Sequence, residues 1–165
     1  IFQYRDFRDV FLSYASFYAQ NDNAAHWARP RAEQVFFREF FSDQRDRVTY
    51  SICKMMENFR LEDYAGWLHD PNTLVLQFEL VYEELSSNEP GILGPNLRQL
   101  LQFLEVDVNS IDVEEFKQRV LGGSRTKSKT KAKLRRYQRE YTEEHYRLID
   151  NARFRNLMQM FNLEY

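Results

Sequence analysis

Arg5 and Ser13 are the two residues near the start of the chain whose types and spacing suit anion chemistry. The arginine closes a short apolar run, Ile1–Tyr4, and the serine follows eight residues later. A guanidinium offers five N–H donors in a fixed fork that matches a phosphate, and a hydroxyl adds one more. In open parallel sheets ligands sit at the carboxyl ends of the strands. An arginine closing a strand and a serine on the next helix could therefore converge on one phosphate. The other reading pairs Arg5 with Asp6 or Asp9 and leaves Ser13 on a helix surface. Further along, Arg125–Arg139 carries eight basic residues and no acid. Its first part, Arg125–Lys133, follows the Gly122-Gly123 break and could fold over the same anion.

Other reactive side chains carry less. A histidine near an acceptor hydroxyl could serve as general base. His26-Trp27 follows the Ser13 helix and is the one candidate for that role. His69 beside a turn and His145 in a first helical turn read as surface residues. Glu83-Glu84 could pass as paired carboxylates for acid–base work, but a solvated helix start accounts for them. Cys53, the lone cysteine, stands on a methionine-rich helical face and reads as a buried small apolar residue. One cysteine permits no internal disulfide and no cysteine-based metal site, and points to a reducing compartment.

The elements that must position these groups follow from the patterning. The 165 residues suit a single domain, 1–165, and 43% hydrophobic against 29% charged residues makes the chain globular rather than disordered. A net charge of −2 gives no reason to expect nucleic acid as a partner. No apolar run approaches the ~20 residues of a membrane span. Phe2–Tyr4 reads as a strand and Arg8–Gln20 as a helix with Val10, Phe11, Tyr14 and Phe17 on one face. Asn21-Asp22-Asn23 breaks it. A long helix opens near Pro30 with Val35, Phe36, Phe40 and Phe41 as its stripe, and another covers Tyr50–Leu68 with Ile52, Met55, Met56 and Phe59 inward. After the Asp70-Pro71-Asn72 turn, Thr73–Leu80 reads as a strand buried on both faces, as in a parallel sheet. Tyr82–Leu85 is a short helix or turn. Asn96 is placed to cap a helix bearing Leu97, Leu100, Leu101 and Leu104, and Ser110 to cap Val113–Val120. A last helix begins at Thr142 and reaches about Asn162. The order is α/β.

Taken together, Arg5-Asp6-Phe7-Arg8-Asp9-Val10-Phe11-Leu12-Ser13-Tyr14 resembles the 3′-phosphate-binding segment of the sulfotransferases that use 3′-phosphoadenosine 5′-phosphosulfate (PAPS). That segment runs Arg-Asp/Asn-Pro-Arg/Lys-Asp-Val-x-x-Ser, so Phe7 replaces the usual proline. Val75–Leu80, VLQFEL, is similar to the family's strand ending in Tyr/Phe-Glu-Asp-Leu, and Leu97–Asp107 to the helix and Leu-Gly-Val-Asp tail after it. Ser124-Arg125-Thr126-Lys127 lies where the family keeps a basic loop over the 3′-phosphate, although here the glycines precede the arginine and the family's tryptophan is missing. The resemblance implies a P-loop-NTPase-like sulfotransferase fold, helix-rich, with a partial parallel sheet and flanking helices. It implies a sulfotransferase moving a sulfuryl group from PAPS to a hydroxyl or amine of a small-molecule or carbohydrate acceptor. Adenosine 3′,5′-bisphosphate would be the product, and the cytoplasm the location. Arg5, Ser13, Arg125 and Lys127 would hold the 3′-phosphate, and Tyr50 stands where relatives place an adenine-contacting tyrosine. A core or surface tyrosine is the plainer account of Tyr50.

The family's glycine-containing 5′-phosphosulfate loop, its catalytic lysine and the base before the Arg-Asp segment have no counterpart in this sequence. With Ile1 opening the chain, the resemblance implies the C-terminal portion of the domain, completed by a further segment or a second chain. Aromatic residues after Ser13 (Phe17, Tyr18, Trp27, Phe36, Phe37) could line an apolar or phenolic acceptor site, or simply a core. The alternative is a non-catalytic helical interaction module, with the aromatic helices between Val35 and Trp67 as partner surface and Arg125–Arg139 as an electrostatic patch. The slightly negative net charge, and a basic run without interleaved aromatics, weigh against nucleic acid on that reading.

Overall fold

The computed structural model describes residues 1–20, 43–58, 60–87, 89–122 and 134–165, with side chains described to residue 16 in the first helix and to residue 121 in the stretch 89–122. The expected helix from Pro30, the candidate base His26, the aromatics Trp27, Phe36 and Phe37, the Asn21–Asn23 break, and the basic residues Arg125 and Lys127 lie outside the described residues. The chain divides into two compact units, each assembled from two stretches: Ile1–Arg5 with Gly66–Lys131, and Asp6–Ala65 with Ala132–Tyr165.

The first unit is organised on a two-stranded parallel sheet. Strand β1 (Phe2–Tyr4) pairs with β2 (Val75–Gln77) in the register Phe2↔Val75, Gln3↔Leu76, Tyr4↔Gln77. The Phe2 amide extends the ladder to the Leu74 carbonyl at 2.8 Å. Three residues, not eight, form β2. Phe78 already opens a helix, α3 (Phe78–Ser86), so the expected strand over Thr73–Leu80 is overlong. The reason lies in the face pattern. Val81 and Leu85, four apart, are buried with Leu74 and Leu76, whereas Leu80 is exposed. Spacing of four suits a helix covering one side of the sheet; a strand continued to Leu80 would put alternate residues inside.

Helices α4 (Pro95–Phe103) and α5 (Val113–Gly122) complete this unit, and Leu93, Leu97 and Leu101 join the same cluster. Pro95 is the first residue of α4, where its missing N–H costs nothing. Asn96 is not the cap. The Glu84 carboxylate takes that role from α3, accepting from the Asn96 amide at 3.0 Å, the Asn96 side chain at 2.6 Å and the Leu97 amide at 2.9 Å. A Cβ on Gly94 would fall 2.2 Å from Glu84 Cδ, which explains a glycine at the N-cap. Glu84 is thus half-buried and structural rather than solvated, while Glu83 is exposed. Ser110 ends a short 3-10 turn, and Asp112 caps α5 by accepting from the Glu115 amide at 3.0 Å.

The second unit is helical. It contains α1 (Phe7–Gln20), α2 (Gln44–Asn58), α6 (Tyr137–Glu140), α7 (Glu143–Ile149) and α8 (Ala152–Met160). The helix expected over Tyr50–Leu68 ends at Asn58, and Leu61–Leu68 winds as 3-10 turns. Val48, Ile52 and Met55 make the buried stripe of α2 at i, i+4, i+7. Cys53 lies one residue off that stripe and is exposed, contrary to the buried position expected of it. Between α1 and α2, the buried Ser51 hydroxyl donates to the Phe11 carbonyl at 2.7 Å. Phe11 packs on Phe154 and Phe7 edge-on against Phe161. The single helix expected after Thr142 is broken at Asp150-Asn151, where Asn151 caps α8 by accepting from the Phe154 amide at 2.9 Å.

Candidate functional site

The parallel register decides what stands at the carboxyl end of the sheet. Tyr4 lies opposite Gln77, so the next residues, Arg5 and Phe78, leave the two strands at the same edge. The Arg5 guanidinium carbon sits 4.9 Å from the centre of the Phe78 ring, a cation–π arrangement. Its Nε lies 3.6 Å from Oε1 of Glu79, the second residue of α3. The Glu79 side chain is 5% exposed and that of Arg5 is 23% exposed. Burial and the negative charge of Glu79 together push the Tyr4 hydroxyl above its ordinary pKa. Phe78 also stacks on Tyr82 one turn further along α3, with ring centres 5.8 Å apart. A half-buried guanidinium, a buried carboxylate and two stacked rings therefore share this edge.

Glu79 was not among the carboxylates expected beside Arg5. Asp6 caps α1, accepting from the Arg8 amide at 2.9 Å, and its carboxylate takes the Arg8 guanidinium at 3.0 and 2.7 Å. Arg8 lies 3.9 Å above the Tyr137 ring and donates to the Glu164 carbonyl at 2.6 Å. Asp9 is fully buried and accepts the backbone amides of Arg135 at 2.8 Å and Tyr137 at 3.3 Å. The Tyr141 hydroxyl closes the group on the Arg8 carbonyl at 3.1 Å, and burial pushes its pKa far upward. Asp6, Arg8 and Asp9 thus build the second unit, tying the first turn of α1 to the segment entering α6. Their structural role was not expected because all three resemble surface charges; the signal was their density at a helix start.

Ser13 is half-buried on α1, and Tyr50 is half-buried on α2 beside Ser51. These two belong to the second unit and come from helices that pack on each other, whereas Arg5 belongs to the first unit. His69 is exposed, as expected. His145 is not a surface residue: it is fully buried. Its Nδ1 accepts from the Thr142 amide at 3.0 Å in a capping box, so Nε2 carries the hydrogen toward the Arg45 carbonyl at 3.1 Å. Nδ1 caps α7 and Nε2 ties it to α2, so both ring nitrogens are used and the residue is structural. The α2 stripe proposed as partner surface is likewise turned inward, although Tyr64 and Trp67 beyond it are exposed.

One concavity of about 400 Å³ is lined by Arg98, Gln102, Val106, Asp107, Val108 and Asn109 in the first unit. Another of about 260 Å³ in the second unit includes Arg8, Tyr146, Phe154 and Tyr165. Arg5, Ser13 and Tyr50 line neither. Among the described residues no group of three or more His, Cys, Asp and Glu could hold a metal ion, and no helix is long and apolar enough to cross a membrane. No family model, curated protein or solved structure matches the chain.

Proposed function

We propose that the chain is the nucleotide-gripping portion of a PAPS-dependent sulfotransferase, in which Arg5 binds the 3′-phosphate of the cofactor. The observation that carries this reading is Arg5 itself. It stands at the carboxyl end of a parallel strand pair, half-buried, with its guanidinium plane set by Phe78 and Glu79. That is the position where open α/β sheets receive phosphate-bearing ligands. The donor suits the group: a planar cation for a phosphate dianion. PAPS supplies the sulfuryl group, and this chain's residues hold the end of the nucleotide remote from it. Holding the nucleotide fixes donor and acceptor in line, which is the larger part of catalysis in transfers of this type. Arg125 and Lys127 would add cations. The acceptor is a hydroxyl or amine of a small molecule or carbohydrate.

Calorimetric titration with adenosine 3′,5′-bisphosphate and with adenosine 5′-monophosphate tests the reading. The bisphosphate should bind more tightly. Arg5→Ala should lose about 2–3 kcal/mol of bisphosphate affinity, typical of a charge-assisted contact, and leave the monophosphate unchanged. Equal affinity of wild type and Arg5→Ala for the bisphosphate would refute it.

A further inference from the structure

We propose that Glu79 is the positioning residue for Arg5: with Phe78 it holds the guanidinium in one orientation, so that the arginine meets a 3′-phosphate already aligned. The inference rests on the nucleotide reading above and adds to it a residue outside the phosphate's own contacts. Three observations carry it. First, β2 stops at Gln77, so Phe78 and Glu79 are the opening residues of a helix rather than alternating strand residues. Both can then reach Arg5, Phe78 by its ring face at 4.9 Å and Glu79 by its carboxylate at 3.6 Å from Nε. Second, Glu79 is 4% exposed, at a surface where an acidic side chain unconnected with a cation would turn to water. Third, the ion pair is made at Nε, the guanidinium nitrogen nearest the backbone. Arginine loses much rotamer freedom on binding, and a side chain already ordered loses less.

The sign of the effect separates positioning from simple electrostatics. A carboxylate beside the phosphate's arginine repels the phosphate, so on charge alone its removal should tighten binding. Positioning requires the reverse. Glu79→Ala should weaken adenosine 3′,5′-bisphosphate binding about tenfold, about 1.4 kcal/mol. Glu79→Gln, which removes the charge but keeps the reach, should weaken binding less than Glu79→Ala. Phe78→Leu removes the ring while preserving the apolar contact. It should weaken binding in the same direction, and it serves if Glu79→Ala does not fold. A readout free of nucleotide accompanies these: the Arg5 Nε–Hε signal in a 15N-correlated NMR spectrum, assigned by its loss in Arg5→Lys. Buried beside Glu79, it should exchange slowly with water in wild type, and quickly in Glu79→Ala, which opens the site. Unchanged exchange in Glu79→Ala, or unchanged or tighter bisphosphate binding, overturns the proposal. A wild-type protein that shows the exchange pattern but binds no bisphosphate overturns the nucleotide reading and upholds the orientation of Arg5 by Glu79.

Discussion

Glu84 acts at a distance along the chain: one carboxylate on α3 satisfies two backbone amides and one side-chain amide at the start of α4. The first amides of a helix have no partner within it, and a negative charge there also meets the positive end of the helix dipole. Replacing Glu84 by Ala should destabilise the protein by about 1–2 kcal/mol, as loss of a helix cap does, measured by urea denaturation. Gly94→Ala should cost a similar amount, because its methyl would displace the same carboxylate. The double variant should then cost little more than either single one, since both remove one interaction. At this scale the sequence was legible only where the partner was near. Asn96 has the right type and place for a cap, but the group that caps α4 stands twelve residues upstream, beyond any local pattern. Cys53 misled through phase: one residue on a helix turns a side chain by about 100°, enough to leave the buried face. His145 misled through polarity, because a neutral imidazole with both nitrogens bonded can be buried like an apolar residue.

Elements were legible where a period ran long enough. Strand β1 and helix α1 lie where the apolar spacing put them. The Asp70 turn also holds, with its carboxylate accepting from the Asn72 amide at 3.0 Å. β2 was overread because an apolar run of eight fits a strand and a buried helical turn equally, and length alone could not divide it. The break at Asn151 was legible in principle, since Asp-Asn before an apolar spacing is a cap signal. What joins elements was not legible. Asp9 carries the junction of α1 with α6, and nothing in a five-residue charged motif names a partner over a hundred residues away. Asp9→Ala leaves the Arg135 amide and the buried Tyr137 amide without their acceptor. It should cost about 1.5–3 kcal/mol, the range for hydrogen bonds to a charged group. Thermal unfolding followed by circular dichroism measures this. A loss below about 0.5 kcal/mol would show that water replaces the carboxylate. Ser51→Ala, which removes one neutral bond between α1 and α2, should cost about 1 kcal/mol.

For the whole molecule, acid is the informative perturbation. Arg153 on α8 binds Glu62 through two nitrogens, at 2.5 and 3.0 Å, and also donates to the Met56 carbonyl. Its hydrogen bond to Glu62 holds that carboxyl at about 2, below the ordinary 4.5. A carboxyl whose folded pKa is depressed adds stability above its unfolded pKa. That stability is lost as pH falls toward the folded value, here between 4.5 and about 2. In Arg153→Met the contribution is absent throughout. Wild type should therefore be the more stable at neutral pH, and the gap in urea midpoint should narrow as pH drops through that window. Glu62 is partly solvated, so the gap should also shrink in high salt. A gap that widens in acid would contradict the assignment. Neither unit is a continuous piece of chain, and that has a practical result. A polypeptide cut to residues 66–131 would carry β2 without its neighbour, presenting a bare row of amides and carbonyls to any passing chain. The pentapeptide Ile1–Arg5, supplied separately, is the natural patch for that edge, which makes the small sheet a ready-made split reporter: two fragments that find each other by strand addition and bring the arginine with them.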